Sequence, residues 1–464
     1  MGKTTLARTL LRRDVGESLD QAHVTDISEA YTMVETEDGA ELCLWDTPGF
    51  GDTARLLKRL KKADKPLGWF VGTVWDRFAD RPLWCSQQAI KNVRDDADVV
   101  LYLVNATEDP GDAGYVEMEM EILGWTGKPV VVLLNQIGSP RGPVQEHREE
   151  DAWRTFLKRH PVVKEVVTLD AFARCWVQED ELLKLLGKHI PDDRQKTYTA
   201  LVNEWQKNNL EVFDRSLDTL AVLVCAAATD GREVSKSTFL QKVGIGRDEL
   251  NREIQKVRAE MSDDIAQRFE EATDRLLELH SLKGKAAKDI QDLAHDSFGM
   301  PEHVNESLWA ALGGIAAGAT GGLAADIVSG GLTVGGGTII GGIGGGLGSL
   351  ALAKGFNFAK GKGNQVRWSQ SHFIEQFRRA ILAYLAVAHF GRGRGEWKTG
   401  DPPEFWMQEV NDGLKANAVV IDALWKAGAD DGVNQKTLHA EARRVIRNVS
   451  TTVLKRLYPD AELD

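Results

Sequence analysis

Cysteine is scarce in this chain, and its four cysteines are isolated. Cys43, Cys85, Cys175 and Cys225 form no C-x-x-C pair, which excludes a disulfide framework and a cysteine zinc site and predicts buried thiols in a reducing compartment. Positive charge is also short. The 57 Lys and Arg against 69 Asp and Glu leave a net charge of -12, which argues against a general nucleic-acid binder. The N-terminus lacks the apolar core of a secretory signal, because Arg8, Arg12 and Arg13 are followed by polar sequence, and a cytosolic origin is expected. Apolar material is not short: at 42% of 464 residues it suffices for two to four domains with cores of their own.

The stretch around which the chain is organised runs from Trp45 to Asp52. It follows Glu41-Leu42-Cys43-Leu44, which reads as a buried strand ending in an acid and a turn. An acid at a strand's C-terminal end, here Asp46, can hold Mg²⁺ through water, and Gly49 lets a backbone N–H approach a γ-phosphate. Gly2-Lys3-Thr4-Thr5 reads as the end of a G-x-x-x-x-G-K-[ST] phosphate loop entering a helix over Leu6 to Arg13. Lys3 would reach the β- and γ-phosphates, Thr4 would ligate Mg²⁺, and the helix N-terminus would add oriented N–H donors. A complete loop has a buried strand and a first Gly five residues ahead of Gly2, and the sequence begins at Met1 with neither. Two readings compete: a misplaced or trimmed start, or a protein without that central strand. The first is favoured, because removing a sheet's middle strand leaves neighbouring backbone groups and apolar faces unpaired.

These paired motifs, in this order and about forty residues apart, resemble those of Era-like P-loop GTPases of the translation-factor-related class, here fused to a bacterial C-terminal domain of unknown function, number 3482. The resemblance implies that Thr25, with Thr32 as the alternative, is the Mg²⁺-sensing Thr of a mobile loop. Phe50 stands where many small GTPases carry a water-orienting Gln, so intrinsic hydrolysis should be slow or use another group. Asn135-Gln136-Ile137-Gly138 lies where GTPases at large carry Asn-Lys-x-Asp. Asn135 is retained, Gln136 replaces the stacking Lys, and Gly138 replaces the carboxylate that reads guanine, which leaves the base preference open. The implied site is then Lys3 and Thr25 as catalytic groups, Gly2, Lys3, Thr4, Thr5, Asp46, Gly49, Asn135 and Gln136 around GTP, and Thr4, Thr25 and Asp46 at Mg²⁺.

Tyr31 to Thr36 and Glu41 to Trp45 flank Asp38-Gly39, a hairpin signal. The continuous apolar runs Asp98 to Asn105 and Pro129 to Asn135 predict parallel strands buried on both faces, with a helix near Val116 to Trp125 between them. Val166 to Ala171 is the last predicted strand. Residues 53–92, rich in Trp and Phe, read better as a small helical insertion than as a partner surface. From Asp192 the texture is helical, with apolar positions at a 3.6 period over Leu201 to Ala228, Leu250 to His280 and Ala286 to Phe298. The same pattern covers Phe373 to Phe390, Leu414 to Ala427 and Leu438 to Leu457.

Charge is nearly absent from Trp309 to Ala353. Asp326 is the single charged residue there, and 16 glycines fall between Gly313 and Gly348, many spaced by four. At ~1 kcal/mol per Gly relative to Ala, an isolated helix is opposed by roughly 16 kcal/mol. Close packing through small-xxx-small faces could offset this, in lipid or in a protein core. The segment is followed by nine Lys and Arg against two Glu in Lys354 to Lys398, the border expected of a cytosolic lipid-facing edge. A membrane-inserted helical hairpin is therefore preferred over a buried soluble hairpin or a loop.

The expectation is an α/β class chain. A three-layer P-loop GTPase domain over residues 1–190 precedes an all-α region, made of a helical domain over 191–307, a glycine-zipper-like hairpin over 308–353 and a C-terminal helical region over 354–464. The function expected is GTP hydrolysis to GDP with Mg²⁺, coupled to a helical part that is associated with or inserted in the cytoplasmic membrane from the cytosolic side. The partners expected are GTP, GDP and the lipid bilayer, with no nucleic acid and with a homo-oligomer left open. A non-catalytic membrane or scaffold protein with a vestigial nucleotide site, and an ATPase, are the alternatives.

Overall fold

The computed structural model describes residues 2–12, 28–62, 66, 68, 80–135, 143–169, 175–234, 247–282, 356–359, 364–389, 404–430, 432–458 and 462–463. The chain divides into two compact units, Met1–Leu210 with His389–Gly395, and Glu211–Ala388 with Glu396–Asp464.

In the first unit, helix α1 (Lys3–Leu11) is followed by an antiparallel hairpin, β1 (Glu29–Glu35) and β2 (Glu41–Asp46), joined through Asp38-Gly39 as expected. Helices α2 (Thr53–Leu60) and α3 (Arg81–Asp95) come next. Strand β3 (Val100–Asn105), α4 (Gly114–Gly124), β4 (Val130–Asn135), α5 (Pro143–Leu157), β5 (Val163–Thr168) and α6 (Trp176–Gly187) complete the alternation. β3, β4 and β5 form a parallel sheet in that order, with β4 in the centre and buried at every position. This is why Val130 to Leu134 read as an unbroken apolar run: both faces are covered. One face packs Tyr102, Val104, Val132 and Leu134 against Val116 and Met120 of α4 and Trp153 of α5. The last strand begins three residues earlier than the sequence suggests, because the exposed Glu165 is part of the pairing with β4. The hairpin and the parallel sheet are separate sheets. Between β2 and β3 lies a cavity of about 770 Å³ lined by Leu42, Leu44, Val99, Leu101, Leu182 and Leu186. Cys85 and Cys175 are buried as expected, whereas Cys43 is exposed on the outward face of β2.

Most of helix α7 (Gln195–Thr229) and all that follows it form the second unit. It contains α8 (Arg247–Leu279), α9 (Gln370–Ala388), α10 (Glu404–Ala416), α11 (Ala418–Ala427) and α12 (Gln435–Leu457). α9 is its hub. Phe373, Phe377, Ile381, Tyr384 and Leu385 are buried almost completely, so a helix expected to be amphipathic is covered on most of its sides by α8, α10, α11 and α12. The Leu414 to Ala427 stripe is two helices, broken at Asn417. The region is helical with one addition that periodicity missed, a small antiparallel sheet in the order β6 (Gly231–Val234), β8 (Asn364–Trp368), β7 (Phe356–Ala359). Its strands have four or five residues, too short for a period of two to stand out from the flanking helices.

One expectation is corrected. Association with or insertion in the cytoplasmic membrane required an apolar span, and among the described residues no helix is long and apolar enough to cross a membrane. The glycine-rich segment that motivated it, Trp309 to Ala353, and the predicted helix Ala286 to Phe298 lie outside the described residues.

Candidate nucleotide site

The C-terminal ends of β2 and β4 converge on the N-terminus of α1. Gly2 caps that helix with φ +75°, a left-handed conformation that costs a side chain energy. A Cβ on Gly2 would also lie 3.0 Å from Nδ2 of Asn135, the last residue of β4. Glycine is thus required twice, by the backbone angle and by the close approach of Asn135. Thr4 Oγ1 donates to Oδ2 of Asp46, the last residue of β2, at 2.7 Å. Thr5 is buried and its carbonyl accepts from Thr9 Oγ1 at 2.8 Å. Lys3 is half-buried in the first turn. Burial pulls its ammonium below the usual lysine range, and the negative charges of Asp46 and Glu119 oppose that shift.

From Asp46 the chain passes through Thr47, Pro48, Gly49 and Phe50 to α2 with both ends of the loop anchored. Asp52 caps α2 by accepting from the Arg55 N–H at 3.0 Å, and the Gly51 N–H donates to Ser86 Oγ at 3.0 Å. Phe50 is partly buried and packs against two apolar clusters, one on the sheet and one around Leu56, Leu60, Leu83 and Ile90. Its ring fastens the loop.

A residue that motif reading missed lies beside this loop. Glu119, on α4, is 5% exposed. Oε1 accepts from Thr53 Oγ1 at 3.1 Å and Oε2 accepts from the Tyr102 hydroxyl at 2.6 Å. Burial raises its carboxyl to about 7, and the hydrogen bonds from Tyr102 and Thr53 and the charge of Lys3 pull the other way. The same burial and the Glu119 charge hold the Tyr102 phenol well above its usual value. A signal was available in the sequence, since Glu119 falls on the apolar stripe Val116, Met120, Leu123, where a carboxylate demands partners.

Gly2, Lys3, Thr4, Thr5, Asp46 and Asn135 are thus brought together, with Gly49 on the loop that leaves Asp46. Thr25, Gln136 and Gly138 lie outside the described residues. The Thr4 hydroxyl and the Asp46 carboxylate are hard oxygen donors, a set that fits Mg²⁺ and disfavours softer metals.

A helix entered through Gly-Lys-Thr, a strand-terminal Asp bonded to its Thr, and a parallel sheet whose strand ends face that helix define a P-loop GTPase, and residues 1–136 match the family model described as 50S ribosome-binding GTPase. The chain belongs to the family of the domain of unknown function DUF3482, whose model matches residues 158–449, with an Era-like P-loop GTPase domain fused ahead of it. Among solved structures, Era Y63A of Aquifex aeolicus bound to GDP·AlF4⁻ is similar at 22% identity with a TM-score of 0.30. The match covers 41% of this chain and spans 54% of that one. No curated protein matches the chain.

Proposed function

We propose that the chain binds GTP and hydrolyses it to GDP with Mg²⁺ at the α1 N-terminus. The observation that carries this reading is the 2.7 Å hydrogen bond from Thr4 to Asp46, which joins the first turn of the phosphate-facing helix to a strand-terminal carboxylate. In this reading the N–H groups of the first turn and the Lys3 ammonium hold the β- and γ-phosphates. Thr4 and Asp46 hold Mg²⁺, with Thr25 as the third protein group at the metal and, with Lys3, a catalytic one. The metal, when bound, neutralises charge that develops on the phosphates. Gly49 offers its N–H toward the γ-phosphate, and Gly2, Thr5, Asn135 and Gln136 complete the nucleotide site. GTP and GDP would differ at Gly49 and Thr25, so the loops carrying them form the switch. Base preference rests on Asn135 and Gln136, without the carboxylate that Gly138 replaces.

Equilibrium dialysis with labelled GTP tests the assignment on the full chain. Lys3→Ala should abolish binding, because Lys3 meets phosphate directly. Asp46→Asn should weaken the Mg²⁺ dependence more than the affinity, because it acts through the metal. Parent-like binding by both variants would remove the site from the α1 N-terminus.

A further inference from the structure

The anchored loop between β2 and α2 raises the question of what fixes its far end. The near end is fixed at Asp46 by Thr4. At the far end two side chains hold the backbone from different elements: Ser86 of α3 takes the Gly51 N–H, and Glu119 of α4 takes the Thr53 hydroxyl. Thr53 is the first residue of α2 and its N–H bonds back to the Gly51 carbonyl at 3.0 Å. The position of Thr53 therefore sets where Gly51, and through it Gly49, can lie. Glu119 is itself held on the other side by Tyr102, whose backbone belongs to β3, so the carboxylate refers the loop to the parallel sheet. Both carboxylate oxygens are engaged by neutral hydroxyls, and the one cation that shares its field is Lys3. A buried carboxylate is costly to keep without a partner of full opposite charge, which marks this one as more than a packing residue.

We infer that Glu119 is a positioning residue for the γ-phosphate-sensing loop, which through Thr53 and Tyr102 clamps the start of α2 to β3 and so fixes Gly49 relative to Lys3 and Asp46. The inference rests on the proposed GTP site and adds to it the group that sets the geometry of the switch. Because GDP has no γ-phosphate to meet Gly49, the clamp acts on the triphosphate state alone.

The test measures affinity of the full chain for mant-GDP and for the mant derivative of a non-hydrolysable GTP analogue, together with single-turnover GTP hydrolysis. Glu119→Ala and Thr53→Val should each weaken the triphosphate analogue and slow hydrolysis about 10-fold, the scale of one lost charge-assisted hydrogen bond, while mant-GDP affinity stays within about 2-fold. Glu119→Gln should return the analogue affinity to within about 2-fold of the parent. Its amide keeps the shape, and both hydroxyl partners can act as donor or acceptor. Thr53→Val is nearly isosteric and leaves Glu119 in place, so it separates the clamp from any folding defect of Glu119→Ala. Equal loss of both nucleotides in the variants would show a purely structural role, and unchanged analogue affinity in Thr53→Val would show that the hydroxyl clamps nothing; either overturns the inference and leaves the GTP site standing. Failure of the parent to bind either nucleotide overturns both.

Discussion

Glu119 also makes folding stability depend on pH in a direction opposite to most carboxylates. Its folded value of about 7 lies above the ordinary 4.5, so the folded chain holds a proton that the unfolded chain releases between those limits. The stabilising contribution is present in full below about pH 4.5 and is lost as pH rises through about 7. A shift of this size corresponds to on the order of 3 kcal/mol. Glu119→Gln, neutral throughout, should gain about that much stability relative to the parent between pH 5 and pH 8 in denaturant unfolding. Parallel curves for the two proteins would show that the carboxyl is not protonated in the fold. In the sequence, Asp46 was legible and Glu119 was not, for one physical reason. The role of Asp46 follows from its place at the end of a strand before a Gly turn, whereas the role of Glu119 is set by Thr53 and Tyr102, which are 66 and 17 residues away.

At the scale of elements, two close approaches carry consequences. Gly51 passes so near α3 that an added Cβ would lie 2.5 Å from Pro82 Cβ and 2.6 Å from its carbonyl oxygen. That contact involves backbone, which cannot yield as a flexible side chain would, so Gly51→Ala should cost about 2 kcal/mol in thermal unfolding and displace the loop that carries Gly49. A parent-like melting temperature would show that the loop has slack. In the second unit, Arg367 of β8 donates through Nη2 to the carbonyls of Ala228 at 2.7 Å and Trp425 at 3.2 Å, in the last turns of α7 and α11. Its guanidinium also lies over the Trp425 ring, 5.6 Å from the centroid. Arg367→Ala should destabilise the chain by about 3 kcal/mol, and Arg367→Lys should recover little of it, because an ammonium offers a point charge in place of a planar fork. Full rescue by Lys would reduce the interaction to charge at two helix ends. None of this brace was legible beforehand. The four- and five-residue strands that carry it give no periodicity, and the carbonyls it binds belong to helices 139 and 58 residues distant.

For the whole molecule, what could be read in advance was what local pattern alone determines. The parallel strands β3 and β4 and the hairpin followed from runs of Val and Leu and from Asp38-Gly39. The long helices followed from their 3.6 period. The site was legible as Gly2, Lys3, Thr4 and Asp46 because a phosphate loop and a strand-end acid need those residue types in that order. Burial on all sides of α9 was not, since its cover comes from α8 and α10 to α12, which are distant in sequence. The measurement that bears most directly on the whole account is phosphate release from GTP by the intact chain, with Mg²⁺ and with the metal chelated, beside the Lys3→Ala variant. The account predicts slow release that requires Mg²⁺, given Phe50 in the place of a water-orienting side chain, and none from the variant. Release that proceeds equally in Lys3→Ala, or no release and no bound nucleotide in the parent, would contradict it.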